Sequence, residues 1–420
     1  MRTSKLLILL FLTLFCCSKK DKDLVDIDSF LNEGEKINLT KDNKIFNQDR
    51  DLIKSVLVSN FHKYKSWNQK NYNSRNFLYP SDFNLTKKSK SLSGKFQNVL
   101  LYKDILVTVK SNSEVSIYTK DFKKKISKTI YKRKIRKNYD LKFKSVLFEN
   151  KLFLADNLGN LHAISLKDLK ILWKLELGVP FVSNIKIHQK NIYIINSNSK
   201  IFSINTLNGN LNWSFETASK NLKNDNSYQI AVFNDNLIFT NDSGEVYCLD
   251  LIKRGIKWSL VFENQIFARN PIIFESTPIV IDEAGTLFVS SNYGFTHSIK
   301  VETGSINWSI PLPIIKRLFV NGNSVFMIYK NRFLVIDKSK GSILYNRSFP
   351  SIRKKSELSL KDILINRFGI YLLTDKGEAI KVNNKNFNDI QRIKIPNKYE
   401  DFLLDNNNIF FKTKNSIIKF

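Results

Sequence analysis

The chain has 420 residues, of which 42% are hydrophobic and 25% charged, and its formal net charge is +29. This composition supports a sizeable core and excludes a wholly disordered chain. Only 14 glycines and 8 prolines occur, and no second apolar run of membrane length follows the N-terminus. Collagen-like, linker-rich and multi-span membrane proteins are therefore excluded.

The N-terminus resembles a bacterial lipoprotein signal. Residues 1–17 read MRTSKLLILLFLTLFCC, a basic start and a short apolar stretch that ends at two cysteines. Cys17 is the better candidate for lipidation, because Leu14 then lies three residues before it, whereas Cys16 would place the bulky Phe15 at the cleavage position. We predict a signal peptide over residues 1–16 and lipidation at Cys17. An ordinary secretory signal with incidental cysteines is the alternative.

A lipidated chain would face the periplasm. Ser18 follows Cys17, and a non-acidic residue there favours passage to the outer membrane. Nucleic acid is not expected as a partner in that compartment. The 67 lysines and arginines are spread along the whole chain, so they indicate either a solvated surface or an anionic partner or lipid headgroup.

One supersecondary unit recurs along the chain about every 43 residues, the period of a four-stranded propeller blade. Each unit starts from a short apolar trio, followed by a turn rich in Asn, Asp and Gly, which supply positive φ angles. The eight trios occupy residues 105–107, 152–154, 192–194, 237–239, 287–289, 325–327, 370–372 and 409–411. The pattern predicts an all-β, eight-bladed β-propeller of four-stranded blades.

An aromatic residue recurs on the last strand of five units, where its ring could cover the junction with the next blade. These blade-docking aromatics are Trp173, Trp213, Trp258, Trp308 and Tyr345.

The eighth unit has only three strands, which would leave an unpaired edge. Residues 83–93 precede the first full repeat, and we predict that they supply the missing strand and close the ring. The predicted propeller then spans residues 83–420. Residues 17–82 form a lipidated tether and an N-terminal extension, in which residues 45–66 are either a short helix or an irregular segment lying across the propeller.

The repeat resembles the pyrroloquinoline-quinone-type propeller repeat, and the best match covers residues 276–280 through residues 302–308. Together with the lipoprotein signal and the extension, which contains residues 33–37 and 67–69, the chain is similar to alphaproteobacterial members of the BamB-like family of outer-membrane assembly lipoproteins. The resemblance implies a periplasmic scaffold of the β-barrel assembly (BAM) complex, anchored in the outer membrane. Its partners would be BamA, other assembly components and, as a possibility, unfolded outer-membrane proteins.

The resemblance also implies a contact with BamA through loops on one side of the ring. Leu222 and Lys223 resemble a Leu-Arg pair of the family, and Glu275 resembles an acidic residue shortly before a Thr-Pro. Lys223 lacks the bidentate fork of arginine, and a further acidic position of the family is Ile273 here. The alternative is that Leu222, Lys223 and Glu275 are ordinary loop residues.

Three other functions compete with this interpretation. A quinone-dependent dehydrogenase needs a catalytic Asp and calcium ligands, but no convergent acidic cluster is visible. A metal enzyme is disfavoured because the four histidines are isolated. The third alternative, a propeller lipoprotein that binds a glycan or another ligand, is not excluded by the sequence. We expect no catalytic residue, cofactor or metal.

Overall fold

The computed structural model describes residues 46–86, 88–219, 225–262, 273–349 and 359–420. Residues 1–45 lie outside this range, so the signal peptide and the lipidation of Cys17 stay predictions. Within the described ranges, no helix is both long and apolar enough to cross a membrane.

The described chain forms eight antiparallel sheets, each the blade of a propeller. Two strands, β1 (Arg50–Asp51) and β2 (Lys90–Ser93), precede the first blade. Blade 1 contains β3 (Asn98–Tyr102), β4 (Ile105–Val109), β5 (Glu114–Thr119) and β6 (Lys124–Thr129). A short helix, α1 (Arg133–Asn138), follows. Blade 2 contains β7 (Phe143–Phe148), β8 (Lys151–Asp156), β9 (Asn160–Ser165) and β10 (Ile171–Glu176).

Blade 3 contains β11 (Lys186–His188), β12 (Asn191–Ile195), β13 (Lys200–Asn205) and β14 (Leu211–Glu216). A 3-10 turn at Asp225–Ser227 leads into blade 4, which contains β15 (Ile230–Phe233), β16 (Asn236–Thr240), β17 (Glu245–Asp250) and β18 (Gly255–Val261). Blade 5 contains β19 (Val280–Ile281), β20 (Thr286–Ser290), β21 (Thr296–Lys300) and β22 (Ile306–Ile310).

Blade 6 contains β23 (Phe319–Asn321), β24 (Ser324–Tyr329), β25 (Arg332–Asp337) and β26 (Ile343–Ser348). Blade 7 contains β27 (Leu360–Asn366), β28 (Gly369–Thr374), β29 (Glu378–Asn383) and β30 (Asn386–Lys394). Blade 8 contains β31 (Tyr399–Asp405), β32 (Asn408–Thr413) and β33 (Ser416–Lys419).

The fourth strand of blade 8 comes from the N-terminal side of the ring. Strand β2 pairs antiparallel with β33, in a register that runs from Lys90 opposite Lys419 to Ser93 opposite Ser416. The predicted eight-bladed propeller and its closure by an N-terminal strand are therefore confirmed. Blade 6 carries a fifth strand, because β1 pairs with the outer strand β26.

The hydrophobic core lies between neighbouring blades. Middle strands such as β8 are buried along almost their whole length, because each blade packs against a neighbour on both faces. Outer strands such as β10 and β14 alternate between exposed and half-buried side chains, since only one face meets another blade. Cys248 is a free, fully buried thiol on β17 within this core.

Residues 54–82, which we call the axial segment, cross the end of the ring where the inner strands of the blades finish. The segment makes backbone hydrogen bonds to six blades, at Phe387, Asn406, Leu101, Leu147, Val232, Ile281 and Ile365, and its Ser59 bonds Asn321 of blade 6. Lys186 of blade 3 completes the set: its Nζ donates to Lys70 O, Asn73 O and Asn76 Oδ1 at 3.2, 2.8 and 2.6 Å. All eight blades therefore bond this one segment.

The axial segment has little regular structure of its own. Residues 48–66 form β1 and then an irregular path, the second of the two alternatives, because their backbone groups bond the ring rather than one another. Aromatic rings hold the segment together: Tyr64 packs edge-on to Tyr72 at 4.5 Å between centroids and lies 5.4 Å from Trp67. The Tyr72 hydroxyl bonds His62 Nε2 at 2.7 Å.

Candidate functional site

The opposite end of the ring, which we call the open face, contains a polar funnel on the propeller axis. Its volume is 420 Å³, and Lys70 and Asn71 of the axial segment also line it. The rest of the lining comes from residues at or just before the inner strands of blades 3 to 8. This lining consists of Asn184, Asn226, Gln229, Glu275, Ser276, Pro278, Ile315, Lys316, Arg317, Lys361, Asp362, Glu400 and Asp401.

The charges of the funnel form a network that joins several blades. Lys70 Nζ lies 2.7 Å from Asp401 Oδ2, and Lys412 pairs with Glu400. Arg317 donates to Asn71 Oδ1 at 3.2 Å and reaches Asp362 Oδ1 at 3.3 Å. The negative and positive charges of the funnel therefore compensate one another locally, although the whole chain is strongly basic.

Burial shifts the pKa values of the acidic and the basic groups of this network in opposite directions. It raises the pKa of Asp401, but the nearby Lys70 and Arg317 outweigh burial and hold that pKa below its ordinary value. Burial lowers the pKa of Lys361, whose Nζ also lies 4.1 Å from the centroid of the Tyr399 ring. The Tyr399 hydroxyl donates to Asp362 at 2.9 Å.

Glu275 lies on the rim of the funnel, in the loop that leads into blade 5. Its backbone N–H donates to Asn292 Oδ1 at 2.9 Å, and its carbonyl accepts from the Asn292 N–H at 3.0 Å. Asn292 also donates to Ile273 O at 2.7 Å. The half-buried Glu275 therefore stands on a loop that the neighbouring turn holds at three backbone points, next to the exposed side chain of Ile273.

Leu222 and Lys223 lie outside the described residues, so their predicted contact stays a prediction. The chain resumes at Asp225–Ser227, and this turn packs on the loop of Glu275. Asn226 O accepts from the Ser276 N–H at 3.3 Å, and the Ser227 hydroxyl donates to Phe274 O. The Asp225–Ser227 turn and the loop of Glu275 are thus neighbours in the fold.

The funnel carboxylates fit poorly as ligands of a calcium–quinone pair. Asp401, Asp362 and Glu400 already pair with Lys70, Arg317 and Lys412, so their negative charge is balanced by side chains of the protein. Among the described residues, no group of three or more His, Cys, Asp or Glu side chains is placed to hold a metal.

Four of the five predicted blade-docking aromatics contact the next blade directly. The indole N–H groups of Trp173, Trp258 and Trp308 donate to Thr206 O, Val301 O and Lys338 O at 3.3, 2.7 and 2.8 Å. Tyr345 meets Phe387 of blade 7 with 4.7 Å between centroids. Trp213 packs on the buried cluster shared by blades 3 and 4. The aromatic rings lie between blades, away from the funnel.

A family model supports the resemblance seen in the repeats. The model described as "Outer membrane protein assembly factor BamB" matches residues 113–347, more than half of the chain. The chain belongs to this family. The match runs from the third strand of blade 1 into the outer strand of blade 6 and includes both Glu275 and the neighbouring Asp225–Ser227 turn.

Solved structures with a similar fold include a member of the same family. BamB from Moraxella catarrhalis aligns over 80% of this chain and 99% of its own, with a TM-score of 0.65 and 13% identity. A europium-containing methanol dehydrogenase aligns over 84% and 89%, with a TM-score of 0.62 and 10% identity. At such identities the likeness concerns the fold alone, which BamB and a methanol dehydrogenase share.

Sequence relatives match only part of the chain. The uncharacterized protein RP232 of Rickettsia prowazekii (strain Madrid E) is 22% identical over 228 residues, which cover 49% of this chain and 54% of that protein. The chain spans about half the length of the curated relatives it matches.

Sequence reasoning missed the funnel and its charges. Lys70, Arg317, Asp362 and Asp401 belong to no motif and come from the axial segment and three different blades. One signal was available: each of the last three lies within three residues of the start of an inner strand, and in a propeller such positions converge on the axis.

Proposed function

We propose that this protein is a non-enzymatic scaffold of the outer-membrane β-barrel assembly complex, which binds BamA and assists the insertion of β-barrel proteins. It would be anchored by a lipid at Cys17 on the periplasmic side of the outer membrane. Membership of the BamB family supports the assignment to outer-membrane assembly. One structural observation carries the choice of surface. The axial segment crosses one end of the ring, whereas the loop of Glu275, bonded to Asn292 and to the Asp225–Ser227 turn, lies at the other end.

The rim around Glu275 has the composition of a protein-binding surface. Glu275 offers a carboxylate on a well-held loop, and the exposed Ile273 and Ile315 offer apolar area on the same rim. A fixed charge beside exposed aliphatic side chains suits a partner with a basic residue and an apolar groove. We propose that Leu222 and Lys223, just before the adjoining Asp225–Ser227 turn, extend this surface.

The funnel chemistry supports the absence of catalysis. A catalytic acid or base needs a pKa near neutrality and access to substrate. The carboxylate of Asp401 is held in the charged form by Lys70, which favours a structural role in linking the axial segment to blade 8. We therefore assign the funnel charges to the architecture of the open face.

Affinity capture tests the proposed function. The tagged full chain is purified from gently solubilised membranes at low salt, and the co-purifying proteins are identified by mass spectrometry. We expect BamA and its companion lipoproteins in the captured fraction. Glu275→Lys should reduce recovery of BamA about tenfold or more, because a reversed charge at a docking surface costs a few kcal/mol.

Glu149→Lys is the matched control. Glu149 lies in the turn between β7 and β8, at the covered end of the ring, so it makes the same charge change away from the proposed surface. Equal loss with both variants would mean that total charge governs capture. If the wild-type protein recovers no BamA at low salt, the scaffold assignment is wrong and a ligand-binding propeller becomes the leading function.

A further inference from the structure

Lysines and arginines occur along the whole chain, but their densest cluster lies on one side of the ring, at blade 1. Residues 123–142 contain ten Lys or Arg and a single acidic residue, Asp140, whereas the whole chain has 67 basic and 38 acidic residues. This stretch comprises the outer strand β6, helix α1 and the connection to β7. Nine of its ten basic side chains are exposed, and we call these nine the basic edge.

The cations of the basic edge have almost no counter-charge in the part of the chain that the structure describes. There, only Lys124 pairs with a carboxylate, that of Glu114, at 3.7 Å. Elsewhere cations pair between blades, as Lys338 of blade 6 does with Asp282 of blade 5 at 3.1 Å. The other eight cations of the basic edge lie close together in the sequence with no such pair among the described residues, an arrangement that mutual repulsion disfavours.

Helix α1 holds part of the basic edge on a firm support. Tyr131 before the helix and Leu141 after it are buried in the cluster shared by blades 1 and 2, and Arg136 Nε donates to Tyr131 O at 3.0 Å. The exposed Lys134 and Lys137 are three residues apart, and the first turn contains no acidic residue. Like charges at this spacing and cations in a first turn are both unfavourable for a helix. The cluster therefore adds no stability to the fold, which favours a role in binding.

The composition of the basic edge fits a lipid surface better than a protein surface. Lysine is depleted at protein–protein interfaces, where aromatic and arginine side chains fill pockets of the partner. Clusters of about four to eight lysines or arginines are instead typical of contacts with anionic lipid headgroups. Tyr139, which follows α1, is 54% exposed, and an amphipathic ring of this kind is favourable at the level of the headgroups. The combined features indicate an anionic bilayer as the partner.

We propose that the basic edge docks on a bilayer surface rich in anionic phospholipid, so that the ring stands with blade 1 towards the headgroups. The loop of Glu275 leads into blade 5, three to four blades away on the far side of the eight-bladed ring. Docking in this orientation therefore leaves the rim around Glu275 accessible. The identification of the bilayer with the periplasmic leaflet of the outer membrane rests on the proposed function; the lipid-binding edge itself does not.

A polarity-sensitive fluorophore on α1 tests the docking. Asn138→Cys places the label at the exposed last residue of the helix, and Ser305→Cys places the same label beside the outer strand of blade 5 as a control. The parent chain gives the background, since its Cys248 is buried.

The full chain is reconstituted with vesicles of phosphatidylcholine alone, or of phosphatidylcholine and phosphatidylglycerol in equal amounts. A lipid at Cys17 would hold the chain on both kinds of vesicle, so the comparison isolates the headgroup charge. We expect a blue shift at residue 138 with the anionic vesicles only, reversed by high salt, and no shift at residue 305.

Two sets of variants locate the contact. Lys125→Gln, Lys128→Gln, Lys134→Gln and Lys137→Gln together should lower the equilibrium constant for docking about tenfold or more, since each lysine contributes to the attraction by anionic lipid. The control set removes the same charge from exposed lysines of blades 4 to 7: Lys253→Gln, Lys300→Gln, Lys340→Gln and Lys376→Gln. The control variants should dock as the wild type does.

Three results would overturn the inference. Equal shifts at residue 138 in neutral and anionic vesicles would mean that headgroup charge does not position α1. Equal losses with both variant sets would mean that the total charge of the chain governs docking. No shift with either vesicle would exclude a lipid surface, and loss of a captured protein with the Lys125, Lys128, Lys134 and Lys137 variants would then assign the basic edge to an acidic protein. Because the vesicle assay contains no BamA, its failure is distinguishable from failure of the capture experiment.

Discussion

At the scale of single residues, a contact between a tryptophan and a turn glycine of the next blade recurs around the ring. A Cβ on Gly209, Gly304 or Gly341 would lie 2.6–2.8 Å from the indole of Trp173, Trp258 or Trp308, closer than carbon atoms can approach. These glycines have φ between 72° and 76°, a region that other residues enter at a cost. The indole can therefore lie flat on the backbone of the next blade only because the turn has no side chain there.

Gly304→Ala tests the contact with Trp258, and substitutions at two other glycines serve as controls. Gly178 has a similar φ of 69° but nothing within 4 Å of its Cβ position, and Gly255 has neither a positive φ nor a close neighbour. We expect a loss of unfolding free energy of about 1 kcal/mol for Gly178→Ala, from backbone strain alone. The loss for Gly255→Ala should be near zero. Gly304→Ala should lose about 2–4 kcal/mol, because displacement of Trp258 adds to strain.

Denaturant unfolding monitored by tryptophan fluorescence measures the three values. Equal losses for Gly304→Ala and Gly178→Ala would contradict the proposed contact, since strain alone would then explain both.

At the scale of elements, the axial segment is held by the ring rather than by its own secondary structure. Asn76 shows how: its side-chain amide donates to Ile230 O and Ile279 O at 3.0 and 2.8 Å, and its Oδ1 accepts from Lys186. Trp67, Asn68 and Gln69, part of the family resemblance, pair with the inner strands of blades 1 and 2. An irregular segment with this many partners in the ring is ordered by tertiary contacts.

Lys186→Met tests how much the axial segment depends on one buried side chain. Burial lowers the pKa of Lys186 to about 7, and its Nζ supplies donors to three oxygens of the segment. Methionine has a similar length and no donor, so we expect a loss of stability of about 2 kcal/mol and faster hydrogen exchange in residues 64–78.

Lys170→Met, at an exposed side chain of blade 2, is the control and should change neither quantity. Unchanged exchange in residues 64–78 for Lys186→Met would show that the backbone bonds alone hold the segment.

At the scale of the whole molecule, ring closure depends on a short pairing between distant parts of the chain. Four residue pairs join β2 to β33, and the Ser89 N–H donates to Lys419 O at 2.9 Å beside them. Lys90 and Lys419 both approach Asp121 of blade 1 at 3.2 Å, which links the closing blade to its neighbour. A propeller closed without a covalent bond can open there first.

A disulfide across the closure tests this idea. Ser91 lies directly opposite Ile418, so Ser91→Cys with Ile418→Cys places two thiols on facing positions. Oxidation should raise Tm by several degrees, because a cross-link over so long a loop restricts the unfolded chain by at most about 5 kcal/mol.

The reduced form of the same variant is the control, and the native Cys248 is buried and should not interfere. An unchanged Tm after complete oxidation would mean that unfolding begins elsewhere than at the closure.

The sequence alone determined the propeller, because the signals that specify a blade act within one repeat of about 43 residues. The apolar trios and the turn glycines indicate the strands and hairpins, and Trp308 is found by its spacing from such a turn. Tertiary structure decided the open face and the axial path. Arg317 and Asn71, which bond in the funnel, are 246 residues apart, and no local period relates them. Likewise, Ile171 and Ile343 occupy equivalent strand positions, and only the placement of Phe46 and β1 distinguishes the exposed residue from the buried one. Polar partners on separate blades meet because ring closure brings them to one axis.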